Sequence, residues 1–506
     1  MKIIGFHLIV GLLIQVPMNV TGIRRIIFGL NLCIALSVIN CCSDNYYGDR
    51  DESVRLPAFD IAAKNSEDNY FRDEIADYAE SSDGSDISKD LADYFDIISE
   101  DLFGGIDSDA DEISDTGEIK CPEDIVASSR YLGDLSPGLT VSSYLLGNCD
   151  AVRYSLVMAA GQEFSFYIKG TYLKPSVVVI GPGTIRSDTF FSNDVRGLPL
   201  IFSYKAARSG EYFLVLSQTD LRKKTPFSVT VSCLTDCEKF ATRYPIVMVH
   251  GFSGFKNIGP VEYFYNVPQT LSSMGYDVHI AKLDPYNSTE ARAPQLRDFI
   301  EKVLLETGAW KVNIIAHSQG GLDSRYVISG LMMADKTGAL ITVATPHYGT
   351  PLADFILSDP TGVGKAALDA ILLIMGAALD SESKANAMAS LYSLSVEYVT
   401  GTFNSRYPDD SRVSYYSYAG KTCRVWEDCG DTVDAEIALT YEILRSKTGD
   451  NDGIVPTESA KWGKFLGVLP ADHFDEVGQV AGVTNPNFNH IEFYKSLAEL
   501  LRREGF

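Results

Sequence analysis

The hydrophobic rhythm of the chain divides it into four segments. Two apolar runs, 1–16 and 26–39, open it, and each falls short of the ~20 residues that a membrane-spanning helix needs. Residues 43–120 are polar, apart from Ile87, Leu91, Tyr94, Phe95, Ile98 and Leu102, whose spacing predicts one apolar stripe on a short helix. Between 121 and 237, alternating or β-branched runs at 142–146, 163–168, 176–180, 198–203, 211–216 and 227–232 are broken by Gly, Pro and Asn. That pattern predicts an antiparallel β-sandwich. From 238 onward, apolar strands are expected at 245–249, 276–283, 312–316, 339–344 and 413–418, with helical periodicity at 291–306 and 321–333. Such alternation predicts an α/β domain with a mostly parallel sheet, covered on both faces and binding ligands beyond the carboxyl ends of its strands. The segment 366–379 is apolar around most of its circumference, so it is expected to be buried or to lie over an apolar site.

Composition sharpens this division into an export segment (1–42), an acidic tether (43–120), a β module (121–237) and an α/β domain (238–506). The chain has 506 residues and is 45% hydrophobic, enough for real cores, with a net charge of −24. Residues 43–120 alone carry 24 Asp or Glu against 6 Lys or Arg, so the acidity belongs mainly to the tether. A surface built to grip nucleic acid is excluded, because phosphate binding needs clustered Lys and Arg. Arg24 and Arg25 precede the second apolar run as a positive region precedes the core of an export signal. The run ends at Asn40, Cys41 and Cys42 and resembles a bacterial lipoprotein signal with Cys41 or Cys42 lipidated; an ordinary cleaved signal peptide is the alternative. Met18 is a sensible start of translation.

Beyond the signal stand Cys121, Cys149, Cys233, Cys237, Cys423 and Cys429. An even number suits disulfides in an oxidising compartment, and none of the six has metal-site spacing. Cys423 and Cys429 are placed to close a small loop, while the other four leave three connectivities open.

The candidate chemistry sits at the end of the third expected strand, in Ala316-His317-Ser318-Gln319-Gly320-Gly321. A serine between small residues, directly between an apolar strand and a helix, reads as a nucleophile elbow, although Ala316 stands where the usual pattern has glycine. A serine hydroxyl needs an imidazole to take its proton and an acid to orient that imidazole. The chain order Ser, acid, His of such a fold leaves His473 and His490, with Asp452 in the turn 449–456 as the acid and Asp450 as the alternative. An oxyanion hole needs two backbone N–H donors. Gln319 is expected to supply one, and Phe252, in the tight turn after the first strand of the domain, the other.

The runs YPIVMVHGF (244–252), AHSQGG (316–321), TPHYGT (345–350), NDGIVP (451–456) and DHFDEVGQ (472–479) resemble the exported bacterial triacylglycerol lipases, especially the foldase-dependent subfamily, over about 244–503. The resemblance implies an α/β-hydrolase fold with His473 as the catalytic histidine. It also implies a structural calcium ion held by Asp475, Gln479, the Val483 carbonyl and Asp431, for which Asp434 competes, and a lid in the region 350–410. The chain departs from that family where Thr457, Glu458 and Ser459 stand in place of a disulfide partner, which bears on a foldase partner. Residues 121–237 resemble the pre-peptidase C-terminal modules found beside secreted hydrolases. The expected function is hydrolysis of lipid acyl esters at a lipid–water interface by an exported, cell-surface or secreted enzyme without an organic cofactor. The alternatives are an esterase, phospholipase or polyester hydrolase of the same fold, or a surface-binding protein that uses the β module.

Overall fold

A computed structural model describes residues 127–506, apart from 148, 183–187, 194, 219–223, 253–256, 259–260, 360–361, 363, 365–380 and 480–481. The export segment, the acidic tether and the apolar stretch expected at 366–379 lie outside the described residues. The described residues from 127 to 506 belong to one compact unit.

Among the described residues, nine strands fill its first part: β1 (Arg130–Asp134), β2 (Thr140–Leu145), β3 (Ala151–Met158), β4 (Glu163–Lys169), β5 (Pro175–Ile180), β6 (Asp188–Ser192), β7 (Leu200–Lys205), β8 (Gly210–Gln218) and β9 (Thr225–Thr235). They make a sheet in the order β1-β3-β8-β5-β6 and another in the order β2-β9-β4-β7. All pairings are antiparallel except β1 with β3. The alternation of β4 and β9 places Phe164, Phe166, Ile168, Phe227, Val229 and Val231 on one buried face. Leu156, Val177 and Leu214 of the other sheet join them in a single apolar cluster. Full burial of each such side chain is worth roughly 1.5–3 kcal/mol. The pairing of β4 sets Phe166 opposite both Phe202 and Val231. Strand β3 was not expected because it is buried almost continuously, so it carries no alternation for a reader to find.

After a junction tied by Arg243 to Asp134 and Glu211, the chain enters a six-stranded parallel sheet. It contains β10 (Ile246–Val249), β13 (Val278–Ile280), β14 (Val312–His317), β15 (Thr337–Val343), β16 (Ser414–Gly420) and β17 (Lys464–Leu469). Their spatial order is β13-β10-β14-β15-β16-β17, and the short β11 (Asn257–Ile258) and β12 (Val261–Glu262) form a separate two-stranded hairpin. Successive side chains of a strand point to opposite faces, and the sheet sorts them accordingly. Ile246, Met248, Ile315 and Ile341 face one cluster, packed on the helices Val267–Ser273 and His490–Arg503. Val247, Val249, Ile314 and Leu340 face the other, packed on Ala293, Leu296, Ile300 and Val303 of the helix Thr289–Thr307. That helix starts at Ser288, whose hydroxyl accepts from the Ala291 N–H, and stops at Gly308 in the left-handed conformation.

The helix expected at 321–333 is shorter: Gln319–Arg325 is α-helical and Tyr326–Gly330 widens into a π turn. Strand β17 was not expected either. It is an edge strand, half-exposed, and it carries Gly467 with a positive φ. Disulfides join Cys233 to Cys237 and Cys423 to Cys429.

Candidate functional site

Ser318 sits between the fully buried end of β14 and the helix Gln319–Arg325, with φ 56° and ψ −132°. A non-glycine residue in such a region costs on the order of 1–3 kcal/mol, which the surroundings must hold in place. They do so on both sides: the Ser318 N–H donates to Val343 O at 2.9 Å, and the Ser318 carbonyl accepts from Thr345 Oγ1 at 2.8 Å. The backbone of β10 comes so near that a Cβ at Gly320 would stand 2.7 Å from the carbonyl oxygens of both Val249 and His250.

His473 lies 155 residues further along the chain, and its Nε2 is 3.0 Å from Ser318 Oγ. Its Nδ1 is 2.9 Å from Asp452 Oδ2, and its N–H donates to the Asp452 carbonyl at 2.9 Å. The other oxygen of Asp452 accepts from the N–H groups of Ile454 and Val455 at 2.8 and 2.7 Å. The turn therefore holds this carboxylate by its own backbone. Asp450, the alternative acid, instead pairs with Lys421 at the surface. His490 caps a distant corner through Tyr265 O.

The N–H groups of Phe252 and Gln319 donate to no acceptor among the described residues. Ser318 is only 4% exposed. It opens into a cavity of about 60 Å³ lined by Phe252, Leu352, Ile356, Leu391, Leu394 and Val477, among others. Ligand pockets for drug-sized molecules run to ~300 Å³ or more, so this cavity is small, and residues of the helices Pro351–Ser358 and Ser381–Leu394 line it.

Behind the site stands a second buried chain that the sequence did not single out. Tyr263 OH is 2.7 Å from His317 Nδ1, and His317 Nε2 is 2.8 Å from Glu476 Oε2. Burial, with Asp452 and Asp472 nearby, raises the pKa of Glu476, and burial, with His473 nearby, lowers that of His317. Burial thus drives each group toward its neutral form, and a hydrogen bond joins them. Glu476 Oε2 stands 3.7 Å from His473 Nδ1, too far to replace Asp452 as its partner. Spacing three residues after His473 was the only signal that could have found it.

The residues carried over for a cation are brought together in part. Carboxylate oxygens of Asp434, Asp472 and Asp475 lie within 4.8 Å of one another. Asp431 bears on the same group, its charge raising the pKa of Asp434 and Asp475. Burial first, and these charges after it, push Asp475 up to about 7 against the Asn485 N–H that stabilises its charged form. Asp431 is buried and neither of its oxygens makes a hydrogen bond of ordinary geometry; nearby Thr422 and Asn485 do not offset its desolvation. Buried like charges of this kind must protonate or hold a cation, so the cluster is a possible metal site. Asp472 was not expected; it is fully buried and accepts from the N–H groups of Asp434, Phe474 and Asp475. The Gln479 amide nitrogen is engaged with the carbonyls of Glu262 and Tyr263 at 2.9 Å. The side chain of Val483 is exposed, which leaves its backbone as the only part able to serve.

The family model "Lipase (class 2)" matches residues 243–353. A triacylglycerol lipase of Pseudomonas fragi is 30% identical over 289 residues, 52% of this chain and 98% of that protein. A triacylglycerol lipase of Vibrio cholerae is 31% identical over 295 residues, 52% of this chain and 89% of that protein. Among solved structures, the mature lipase BlEst2 of Bacillus licheniformis aligns with a TM-score of 0.40 and 20% identity, over 53% of this chain and 94% of that one. With nearly the full length of two such lipases matched at that identity, the chain belongs to the bacterial triacylglycerol lipase family and is a carboxylic ester hydrolase acting on lipid esters.

Proposed function

We propose that the enzyme cleaves lipid acyl esters through an acyl-enzyme on Ser318. Ser318 Oγ attacks the ester carbonyl while its proton passes to His473 Nε2. Asp452 holds the Nδ1–H and so keeps the ring in the tautomer that can accept. The oxygen of the tetrahedral intermediate takes hydrogen bonds from the Phe252 and Gln319 N–H groups, and loss of one such donor typically costs ~3 kcal/mol of barrier. His473 then returns its proton to the leaving alcohol, and a water deprotonated by the same Nε2 releases the acid. The observation that carries this reading is the continuous contact from Ser318 Oγ through His473 to Asp452, at 3.0 and 2.9 Å. An alkyl phosphonate ester is expected to label the protein once per chain, with the mass increment on the Ser318 peptide and none in Ser318→Ala. Labelling of the alanine variant would defeat the assignment.

The acidic cluster fits calcium, which takes hard oxygen ligands from carboxylates and carbonyls. Asp431, Asp434, Asp472 and Asp475 would hold the ion, with the Gln479 and Val483 carbonyl oxygens in reserve. Its contribution would be structural, neutralising the buried carboxylates and so steadying the loop that carries His473. Chelation is therefore expected to lower the melting temperature and the activity together, and added Ca²⁺ to restore both. Unchanged melting in chelator would remove the ion from the account.

Residues 121–237 act as a β-sandwich module of the pre-peptidase C-terminal type, supported by the apolar cluster that its two sheets share, and 238–506 is the lipase domain. The tether 43–120 and the export signal 1–42 put the enzyme on the cell surface or outside the cell, and a foldase partner rests on the family resemblance.

A further inference from the structure

We propose that Arg292, together with His250, is a positioning pair that aims the Phe252 N–H at the oxyanion by holding the Gly251 carbonyl from behind. This inference rests on the reading of Phe252 as an oxyanion donor. It goes beyond that reading by assigning what orients the donor.

Arg292 is fully buried on the helix Thr289–Thr307, where a surface-facing arginine would be the ordinary choice. Its Nε donates to Asp323 Oδ2 at 2.8 Å, and Asp323 is fully buried too. The rest of its fork is spent on backbone. Nη2 donates to His250 O at 2.8 Å, and Nη1 donates to Gly251 O at 3.2 Å and Asp284 O at 2.8 Å. A fixed guanidinium fork suits several acceptors at once, whereas an ammonium is a point charge on a flexible stem.

His250 supplies a second donor to the same oxygen. The Leu283 N–H donates to its Nε2 at 3.2 Å, so Nε2 is the acceptor and Nδ1 carries the hydrogen. Nδ1 is 3.0 Å from Gly251 O. Burial, followed by the nearby Arg292 charge, lowers the pKa of His250 to about 3, so this tautomer persists across the pH range in which an esterase works.

Two donors therefore converge on one carbonyl. In a planar trans peptide the C=O and the next N–H point in opposite directions. Fixing the Gly251 oxygen toward Arg292 and His250 consequently directs the Phe252 N–H to the other side of that peptide. Gly251 packs directly against Ser318 there: a Cβ on it would stand 2.5 Å from Ser318 Cβ and 3.0 Å from Oγ. The Phe252 N–H has no acceptor of its own among the described residues. A flip of this one peptide would turn a carbonyl toward the developing negative charge, and the converging donors oppose it.

The test compares full-length wild type with Arg292→Lys and with the double variant Arg292→Met/Asp323→Leu, which removes both buried charges together and leaves neither unpaired. Initial rates on a soluble p-nitrophenyl ester give kcat and KM. Two inhibitors are titrated alongside: an alkyl trifluoromethyl ketone, whose carbonyl carbon bonds to Ser318 Oγ while the proton moves to His473 and the oxygen becomes an anion, and a matching alkyl ether that cannot form an adduct. In folded protein with wild-type circular dichroism, kcat is expected to fall on the order of 100-fold in the double variant and on the order of 10-fold in Arg292→Lys, with KM nearly unchanged. Affinity for the ketone should fall in proportion, and affinity for the ether should hold. Two results would overturn the proposal: kcat within about threefold of wild type in both variants, or equal losses for ketone and ether, the mark of a generally loosened pocket. Should the double variant not fold, Arg292→Lys decides by the same criteria. Turnover retained by Ser318→Ala would instead sink the underlying mechanism, so the two failures are told apart.

Discussion

His473→Ala is expected to reduce kcat on a soluble ester by on the order of 10⁴-fold or more, with little change in KM, because Ser318 then has no group to take its proton. The ring is largely buried and its Nε2 lies 3.0 Å from Ser318 Oγ, the one side-chain partner of that hydroxyl among the described residues. Asp452→Asn should cost about as much, on the order of 10⁴-fold, for a different reason. The amide keeps an oxygen for the Ile454 and Val455 N–H groups, so the turn persists. It then presents an NH₂ to His473 Nδ1 in place of the Oδ2 that accepts there at 2.9 Å. The ring turns over to the wrong tautomer and loses its capacity to accept from the serine. Stopped-flow or steady-state rates, with circular dichroism to verify folding, settle both. If Asp452→Asn kept activity within about tenfold of wild type, the assignment of Asp452 as the orienting acid would fail.

The second large effect is expected from Gly251→Ala, a change of one methyl group. The new Cβ would lie 2.5 Å from Ser318 Cβ, 3.0 Å from its Oγ and 3.1 Å from His317 O. Real carbon atoms do not approach so closely, and neither neighbour is the free end of a flexible chain. Either the strained elbow at Ser318 must relax or the peptide carrying the Phe252 N–H must retreat. Both outcomes break the register between nucleophile and oxyanion donor, and displacements of about 1 Å near reacting atoms cost on the order of 100-fold. Since two catalytic elements are pushed apart together, kcat should drop by about 10³-fold, with a fall in melting temperature of only a few degrees. Gly401→Ala is the control: its Cβ would meet nothing within 4 Å, and rate and melting should match wild type. A Gly251→Ala enzyme with more than about a tenth of wild-type kcat would mean that the close approach of residues 251 and 318 is not needed for turnover.

Local pattern alone located the central strands of the parallel sheet. The runs around 246–249, 312–317 and 337–343 are buried on both faces, and such strands announce themselves as continuous apolar stretches of short length. The serine between strand and helix, and the Asn451-Asp452-Gly453 turn, were legible for a similar reason: each owes its geometry to residues within a few positions of itself. In the β module, alternation revealed β4 and β9 but not β3, whose neighbours bury both of its faces. Strand β17 escaped because its partner β16 lies 44 or more residues earlier and its own exposed edge looks like a loop.

What only the tertiary structure decided is which distant groups meet. Arg292 reads as an ordinary solvent-facing position on an amphipathic helix until Asp323 and the carbonyls of His250 and Gly251 are seen around it. Glu476 and Asp472 read as acids in an acidic chain until the fold buries them beside His317 and Asp475. Sequence determines such things only through the packed whole: a charge is drawn inside by partners remote along the chain, and no local periodicity records those partners. Short-range sterics and solvation wrote the strands, the elbow and the turn into the sequence. Long-range burial and pairing selected the second ring of side chains that holds them in place.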